Sequence, residues 1–460
     1  MDEGLVCVVA VATSRAAAEP DFEGSRRATW NPLTRIAFRF CFLYFGLFCV
    51  TYPQLITDYV GFLNHLFPNY QEMMLWQTTL LNAPLTWVGR TVFGVDVVFR
   101  NDHSGDQAIY WVQLFCLVVI ATAGTAIWTV LDRRRPDYRR LAGWFLLFIR
   151  MCVAASMMDF GWAKLIPTQM PVPSLTALLH PLGDFGPMGV LWTQVGLSPQ
   201  YEMLLGLAEV LGGVLLFIPR TAVAGAMLTL IATAQVFVLN MTFGVPVKIL
   251  AGHLMLMSLV LLAPEARRLL EGLFLDRATG PSTAPYPFRT RRSRRIAALV
   301  QVVLGLWVTA NFAQIGWGTW RDEGPYRTKP PLYGIWSVQD FERDGQALPP
   351  LLTDGNRWQR IVFDTPGVMT YQRMDGTLVD TRLDIDTTGR HLTLAEAPTD
   401  PAAQPKPLGE FTFRQDAPDR LLLEGQLEGH RVTIALDQVD PNSFRLRSTG
   451  FRWIQDTPQF

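Results

Sequence analysis

The chain has 460 residues, equal numbers of basic and acidic residues (40 each) and 49% hydrophobic residues, with a positive mean hydropathy. A net charge of zero excludes an overall field that attracts nucleic acid, so no nucleic-acid partner is predicted. The apolar surplus lies almost entirely before Trp317, in runs near the ~20 residues that a helix needs to cross a ~30 Å hydrocarbon layer. The composition therefore predicts a membrane part, with the lipid bilayer as its partner, followed by a water-compatible part.

The N-terminal segment, residues 1–32, is predicted to be a disordered cytoplasmic tail. Its short apolar patch follows Asp2 and Glu3 rather than the basic residues that open a signal peptide. The transmembrane domain is therefore expected to begin at residue 33.

Seven apolar segments between residues 33 and 317 are long enough to span, or nearly span, a bilayer. They are Ile36–Val50, Ile109–Val130, Leu141–Ala163, Met203–Ile218, Ala222–Leu239, Val247–Ala263 and Ile296–Gln314. The predicted fold of this domain is a membrane all-α helical bundle of about seven transmembrane helices.

Arginine clusters give the predicted orientation, because Lys and Arg in short loops stay on the cytoplasmic side. When seven spans are threaded alternately, every cluster falls on one side of the membrane. The clusters are Arg26, Arg27, Arg35 and Arg39, then Arg133, Arg134, Arg135, Arg139 and Arg140, then Arg220, then Arg267, Arg268, Arg277, Arg289, Arg291, Arg292, Arg294 and Arg295. The protein is thus predicted to lie in the bacterial inner membrane with a cytoplasmic N-terminus and an extracytoplasmic C-terminal domain.

Two long loops fall on the opposite side. Within Tyr52–Gln107, the stretch Met73–Phe93 is expected to be either a helix on the membrane surface or a half-inserted helix, and the sequence leaves both open. Leu165–Gln200 is rich in proline and is expected to be ordered against the bundle rather than helical throughout.

After a predicted linker at residues 318–332, the pattern changes to short alternating segments separated by turn signals. Residues 333–460 are predicted to form an antiparallel all-β domain. The strands predicted beyond the first are Arg360–Asp364, Val368–Arg373, Val379–Asp384, His391–Ala395, Glu410–Phe413, Arg420–Leu427, Val432–Asp437 and Phe444–Ser448, with hairpins at Asp375-Gly376, Thr388-Gly389 and Glu428-Gly429. A meander of about eight or nine strands is expected to close into a barrel, which removes exposed edges.

The first predicted strand begins Gly334-Ile335-Trp336, which resembles the Gly-x-Trp signature of lipocalin-like barrels. In such barrels the Trp packs across the floor under an Arg or Lys of a late strand, and Arg445 or Arg447 is the candidate partner. A plain core Trp and a ligand-binding calyx are equally compatible with the motif.

Charged side chains inside the spans are costly in a bilayer, so each needs a partner or a function. Arg150 lies about nine residues into the third span, roughly 14 Å from its inner end, and Glu209 lies near the middle of the fourth span. Their similar depth predicts a buried Arg150–Glu209 pair, with His253 of the sixth span within about a turn or two.

A second polar group is expected nearer the outer mouth: Asp159 and Lys164 on the third span, Asn240 ending the fifth and Lys248 opening the sixth. One hypothesis is a polar pocket, open to the outside, that binds an anionic or quinone-like ligand. The alternative is a structural ion-pair network that holds helices three to six together. The sequence favours neither.

The sequence contains no motif of soluble enzymes that would support a catalytic role. No nucleophile elbow, phosphate-binding loop, dinucleotide fingerprint or zinc signature occurs in a suitable context. The five cysteines include no C-x-x-C pair, and Cys41, Cys49, Cys116 and Cys152 are interpreted as packing residues inside apolar runs. No metal site is predicted, because the loop histidines lack ligand spacing.

One set of motifs spans the third to sixth helices. It consists of Arg150, Asp159-Phe160-Gly161-Trp162-Ala163-Lys164-Leu165, Gly206-Leu207-Ala208-Glu209-Val210-Leu211-Gly212-Gly213, Ile218-Pro219-Arg220-Thr221, Leu239-Asn240 and Val245-Pro246-Val247-Lys248. These segments resemble the DoxX family of small bacterial membrane proteins, which are four-helix bundles. The resemblance implies a DoxX-like four-helix core at about residues 141–263.

Some DoxX relatives are linked to thiosulfate:quinone oxidoreduction or to membrane-associated thiol and oxidative-stress complexes. The resemblance therefore implies a quinone-linked or redox-associated membrane subunit, which as an enzyme would be part of a quinone-linked oxidoreductase. Quinone would be its cofactor and a redox or other membrane protein its partner. Two non-enzymatic alternatives stay open: a lipid or small-ligand binding or transport module that uses the barrel, and a scaffold for a membrane complex.

Overall fold

The structure is a computed structural model that describes residues 30–67, 69–70, 75–100, 102, 104–282, 284–397, 406–448 and 453–456. Within these residues seven helices are long and apolar enough to cross a membrane, which confirms the predicted helical bundle. They are α1 (Pro32–Thr51), α2 (Ala108–Leu131), α3 (Arg139–Leu165), α4 (Pro199–Phe217), α5 (Ala222–Thr242), α6 (Lys248–Leu262) and α7 (Arg291–Glu323). The predicted disordered tail lies outside the described residues, except for its last residues.

Shorter helical segments fill the loops. They are Gln54–Thr57, Gly61–Leu66, Trp76–Val88, Gly89–Phe93, Ala177–Leu179, Leu182–Asp184, Pro187–Gly196, Ala263–Glu265 and Ala266–Leu273. The proline-rich loop between α3 and α4 is ordered against the bundle, as predicted: its Met170 N–H donates to the Glu202 carboxylate of α4 over 2.9 Å.

Helix α3 is the centre of the bundle. In the 18-residue apolar stretch of α3, 67% of the residues are buried inside the protein, compared with 22% in that of α2 and 28% in those of α1 and α5. It packs against α4, α6, α7 and α1. The outer helices therefore leave most of their apolar surface for lipid, as helices that are apolar all round do in a membrane.

Glycines allow α3 and α4 to approach closely. A Cβ on Gly206 would lie 2.3 Å from the backbone nitrogen of Leu165 and 2.6 Å from the carbonyl oxygen of Gly161. A Cβ on Gly161 would lie 2.8 Å from the backbone nitrogen of Val210. Small residues at such positions are what lets membrane helices pack backbone to backbone. The contacts fix the register of the pair, with Leu165 opposite Gly206 and Gly161 opposite Val210.

The two ends of the bundle differ in charge. At one end the Arg35 guanidinium, at the start of α1, donates to the carbonyl oxygen of Arg135, just before α3, over 2.9 Å. Gly143 of α3 packs there against Tyr286 and Pro287, which precede the arginine cluster of α7. We call this the basic end and the opposite one the barrel end. The members of these clusters that the structure describes thus share one end, as the sequence predicts; Arg26 and Arg27 lie outside the described residues.

Helix α7 is longer than a bilayer requires. Its 33 residues correspond to about 50 Å, so it projects beyond a ~30 Å hydrocarbon layer. The predicted linker starts too early, because the helix continues from Trp317 to Glu323. Trp317, 58% exposed and stacked on Trp320, lies where interfacial aromatic residues are found.

The C-terminal domain is a closed antiparallel barrel, as predicted. Its strands are β1 (Gly334–Arg343), β2 (Gln346–Ala347), β3 (Trp358–Phe363), β4 (Val368–Arg373), β5 (Leu378–Asp386), β6 (His391–Glu396), β7 (Pro407–Ala417), β8 (Arg420–Leu427) and β9 (His430–Val439). Eight of them, β1 and β3 to β9, follow one another around the barrel, and β9 pairs with β1 to close it. The short β2 extends β1 as a hairpin.

One predicted strand, Phe444–Ser448, is wrong. Residues Arg445–Ser448 form a helical turn after the barrel. The physical reason is that β9 already pairs with β8 on one side and β1 on the other. A closed barrel offers no edge to a further strand.

Large apolar side chains fill the barrel. Trp336, Phe363, Phe411 and Leu423 are each 1% exposed and belong to one continuous cluster inside the barrel. A barrel of about eight strands is just wide enough for its own side chains or for one small ligand. Packing of this kind favours the plain core Trp over the ligand-binding calyx.

The barrel docks sideways on the loop between α3 and α4. Ile335 of β1 and Val362 of β3 are paired neighbours whose side chains point away from the barrel interior. They are 0% and 1% exposed because they pack against Leu175 and Leu179 of the loop. The two domains therefore share a small apolar core.

Asp364, which follows β3, adds polar contacts at this junction. Its carboxylate accepts from the backbone N–H of Leu175 and from the Arg327 guanidinium, both over 2.8 Å. Asp364 is 7% exposed, so these bonds are shielded from water and are stronger than they would be at the surface. The barrel is tied both to the loop and to the segment that follows α7.

The glycine contacts predict opposite effects for two Gly→Ala changes. Gly206→Ala places a methyl group into backbone atoms of α3 and should destabilise the bundle by about 1–3 kcal/mol, as overpacking does. Gly46→Ala adds a methyl group in open space on α1 and should stabilise it by up to ~1 kcal/mol through helix propensity. Thermal unfolding in detergent measures both. Equal melting temperatures for the two variants would contradict the close α3–α4 packing.

Candidate functional site

The barrel end contains a buried ion pair between α3 and α4. The Lys164 ammonium lies 2.7 Å from a carboxylate oxygen of Glu209, and each side chain is 6% exposed. Lys164 also donates to the carbonyl oxygen of Phe160 over 3.2 Å. Because each charge neutralises the other, neither is left free to bind an ionic ligand.

The predicted Arg150–Glu209 pair is wrong. Arg150 instead donates to the side-chain oxygen of Gln301 on α7. The register between α3 and α4 explains this difference. Leu165 lies opposite Gly206 and Gly161 lies opposite Val210, so Arg150 is level with the α4–α5 turn rather than with Glu209. Helix α4 begins about two turns beyond the end of α3. The prediction assumed that the two helices end at the same level, and it therefore placed Glu209 too deep in the bundle.

Arg150 lies at a cavity at the basic end. The cavity has a volume of about 270 Å³ between α3, the α4–α5 turn, the end of α6 and the segment before α7. Its polar lining consists of Arg150, Glu265, Ser282 and Tyr286. Arg150 is 9% exposed, and its Nε is buried without a hydrogen-bond partner in the part of the chain that the structure describes. A guanidinium carries five N–H donors and a positive charge, so this cavity can receive an anionic acceptor group from a ligand.

His253 is part of the packing between α6 and α1. Its Nδ1 lies 2.6 Å from the carbonyl oxygen of Ile249, so Nδ1 carries a proton. Its Nε2 then accepts from the Tyr44 hydroxyl over 2.8 Å, and its ring stacks on Phe48 with centroids 3.8 Å apart. The neutral imidazole has both nitrogens occupied, and it does not meet Arg150.

Lys248 and Asn240 join the segments at the barrel end. The Asp106 carboxylate, from the loop before α2, accepts from the backbone N–H groups of Lys248 and Ile249 over 2.8 and 2.9 Å. It also lies 3.3 Å from the Lys248 ammonium, so it caps the positive end of α6. Asn240 donates to the carbonyl oxygen of Val247 over 3.2 Å and ties α5 to α6.

Asp159 faces a loop that enters the bundle after α1. The Tyr59 hydroxyl of this loop donates to the carbonyl oxygen of Met151 over 2.7 Å, which places the loop against α3. One carboxylate oxygen of Asp58 is buried and has no hydrogen-bond partner within the described residues of the chain. Burial and the Asp159 carboxylate raise the pKa of Asp58 well above its ordinary value.

The predicted barrel residues have structural roles. Gly334 has a φ of +150°, and a Cβ there would lie 2.5 Å from the side-chain nitrogen of Gln438. The Trp336 indole donates to the carbonyl oxygen of Leu332 over 2.8 Å. Arg445 and Arg447 are not on a late strand, and Arg447 donates to the carbonyl oxygen of Pro173 in the α3–α4 loop over 3.3 Å. The predicted partnership across the barrel floor is therefore wrong.

The chain was compared with known proteins. No family model and no solved structure matches it. The uncharacterized protein YwoB of Bacillus subtilis (strain 168) is 32% identical over 125 residues, which are 27% of this chain and 79% of YwoB. The chain belongs to the YwoB family. Because YwoB is itself uncharacterized, the relationship brings no activity, and the DoxX resemblance of residues 141–263 stays a prediction.

Sequence reasoning missed part of the site in this YwoB-family protein. Gln301, the partner of Arg150, is a polar residue inside the apolar run of α7. Gln301 could have been found in the same way as the charged residues, because any polar side chain inside a membrane span is costly unless it has a partner or a function. Glu265, Ser282 and Tyr286 lie in loops and helix ends beside many other polar residues, so only the fold brings them to Arg150.

Proposed function

We propose that this protein is a scaffold subunit of the bacterial inner membrane, which holds its β-barrel in a fixed position on the extracytoplasmic side for a protein partner. The observation that carries the proposal is the apolar core shared by the barrel wall and the α3–α4 loop. A domain joined by a free tether would leave Ile335 and Val362 exposed to water, at a cost of about 25 cal/mol for each Å² of apolar surface.

Two further observations support a non-enzymatic role. Four of the predicted polar residues at the barrel end are engaged with charged partners or with the backbone: Lys164 pairs with Glu209, Lys248 pairs with Asp106, and Asn240 donates to the carbonyl oxygen of Val247. The barrel interior is filled by its own side chains, which disfavours a calyx that collects lipid. The outer surface of the firmly held barrel is then the surface offered to a protein partner.

A single substitution in the loop tests the scaffold role. Leu175→Asp buries a charge beside Asp364 and should release the barrel from the bundle, because an unpaired charge is not tolerated in an apolar core. Leu182→Asp, in the same loop but at a position 75% exposed, is the matched control. Quantitative mass spectrometry of proteins that co-purify with the tagged full-length chain should show a partner set shared by wild type and Leu182→Asp and lost in Leu175→Asp.

Proteolysis in the segment 324–332 checks that the barrel has been released, because cleavage there should accelerate only in Leu175→Asp. An identical partner set in that variant, with faster cleavage, would refute the scaffold role. So would the absence of any specific partner from the wild-type protein.

The orientation is a separate element of the proposal. It places the N-terminus in the cytoplasm and the barrel outside, because the basic clusters share one end of the bundle and positive residues stay inside. A reporter enzyme that is active only outside the cytoplasm, fused after Phe460, should be active, and the same reporter inserted after Arg134 should be inactive. The reverse pattern in stable fusions would overturn the orientation.

A quinone-linked redox role is the second candidate, in keeping with the DoxX resemblance. Glu202 favours it, because its side chain is fully buried within electrostatic reach of Lys164, and one of its carboxylate oxygens has no hydrogen-bond partner among the residues that the structure describes. Such a group is a candidate ligand for the oxygen or hydroxyl of a quinone or quinol.

Quinone retention by the purified protein tests this candidate. Extraction of the wild-type protein should yield quinone, and Glu209→Gln should abolish it, because the change leaves Lys164 buried and unpaired and disturbs the cluster. Asp96→Asn, in an exposed ion pair with Arg90, is the control. Equal quinone content in folded wild-type and Glu209→Gln protein would remove the candidate.

A further inference from the structure

The cavity at the basic end has the features of an anion site. We propose that it binds the phosphate head group of an anionic phospholipid, with Arg150 at its floor. The inference is independent of the scaffold role, because it concerns the opposite end of the bundle.

The Arg150 guanidinium provides the positive charge and the unused donor. Arg150 is 9% exposed, one of its guanidinium nitrogens donates to Gln301, and its Nε is buried without a partner among the described residues. A guanidinium presents five N–H donors in a fixed fork that matches the oxygens of a phosphate. An anion in the cavity would pair the buried charge of Arg150, which lines it.

The nearby carboxylate does not cancel this charge. Glu265 also lines the cavity, but its carboxylate accepts from the Ser282 hydroxyl and pairs with the Arg268 guanidinium at 3.3 Å. Its negative charge is therefore already compensated. Arg220 follows the lining residue Pro219 directly and is exposed at the same end, so the surroundings of the cavity are positive overall.

The walls of the cavity suit an amphiphile rather than a free ion. Leu147, Val223 and Leu261 form apolar surface beside Arg150. The volume of about 270 Å³ is smaller than the ~300–1,000 Å³ of pockets that enclose whole drug-sized ligands. It fits a head group whose chains continue along the outside of the bundle.

The position in the membrane agrees with this ligand. The cavity lies at the end where the spans α4 and α6 finish and α7 begins, the end at which the arginine clusters lie. Basic pockets between helices on the cytoplasmic side are a known way to bind anionic lipid heads. The adjacent helix Ala266–Leu273 exposes Leu270 and Leu273, at 51% and 60%, next to Arg267 and Arg268, as expected for a helix in contact with an anionic lipid surface.

The experiment uses the full-length protein, purified in a neutral detergent and stripped of lipid. Phosphatidylglycerol, phosphatidylcholine and inorganic phosphate are added separately, and native mass spectrometry and thermal unfolding are recorded. Phosphatidylglycerol should form a stable one-to-one adduct and raise the melting temperature, while the other two should do neither at the same concentration.

Two variants locate the site. Arg150→Gln should weaken phosphatidylglycerol binding by about tenfold or more, the loss expected for a hydrogen bond to a charged group. Ala222→Phe keeps Arg150 and Gln301 but fills the cavity from α5, so it should abolish the adduct even where Arg150→Gln fails to fold. Arg292→Gln, an exposed arginine in the first turn of α7 at the same end, should bind like wild type.

Three results would overturn the proposal. Stabilisation by inorganic phosphate equal to that by the lipid would mean that the ligand is a free anion. Equal binding of phosphatidylglycerol and phosphatidylcholine in every variant would mean that the lipid only surrounds the bundle. Retention of the adduct in folded Ala222→Phe would place the lipid elsewhere.

Discussion

The close approach of α3 and α4 governs the rest of this structure. Gly161 and Gly206 remove the side chains that would keep the helices apart, and the backbones touch. Dispersion forces over such a contact, rather than the hydrophobic effect, drive helix association in lipid. The contact sets the register that brings Lys164 to Glu209 and carries Arg150 beyond the end of α4. One pair of small residues therefore decides which charges meet.

The two polar regions of the bundle differ because of that register. At the barrel end, Lys164 of α3 lies level with Glu209 of α4, and Lys248 of α6 lies level with Asp106 of the loop before α2, so the charges neutralise in pairs. At the basic end, Arg150 has passed the last residue of α4 and donates instead to the neutral Gln301 of α7. A buried cation with a neutral partner is more costly than a pair, so the basic end is the place where an added anion would contribute most.

The sequence predicts the elements of this fold better than their contacts. Spans of about 20 apolar residues and alternating strands are local patterns, and both domains follow from them. The Arg150–Glu209 pair failed because depth was counted from helix ends, whereas Gly206 sets how far α4 extends past α3. The strand predicted at Phe444–Ser448 failed because only the closed pairing of β9 with β1 shows that no edge is left. The hydrophobic periodicity of a segment shows whether it is a helix or a strand, but it does not show how that segment is positioned against the others.

The position of the barrel depends on the same helix contact. Leu175 and Leu179 can receive the barrel wall only if the loop between α3 and α4 keeps its shape. The loop is fixed at α4 by the bond from Met170 to Glu202 and begins directly after Lys164. A slide of α4 along α3 would break the Lys164–Glu209 pair, which costs about 3–5 kcal/mol for a buried pair. The barrel is therefore as firmly placed as the two helices, so a partner that recognises its outer surface meets it already in position.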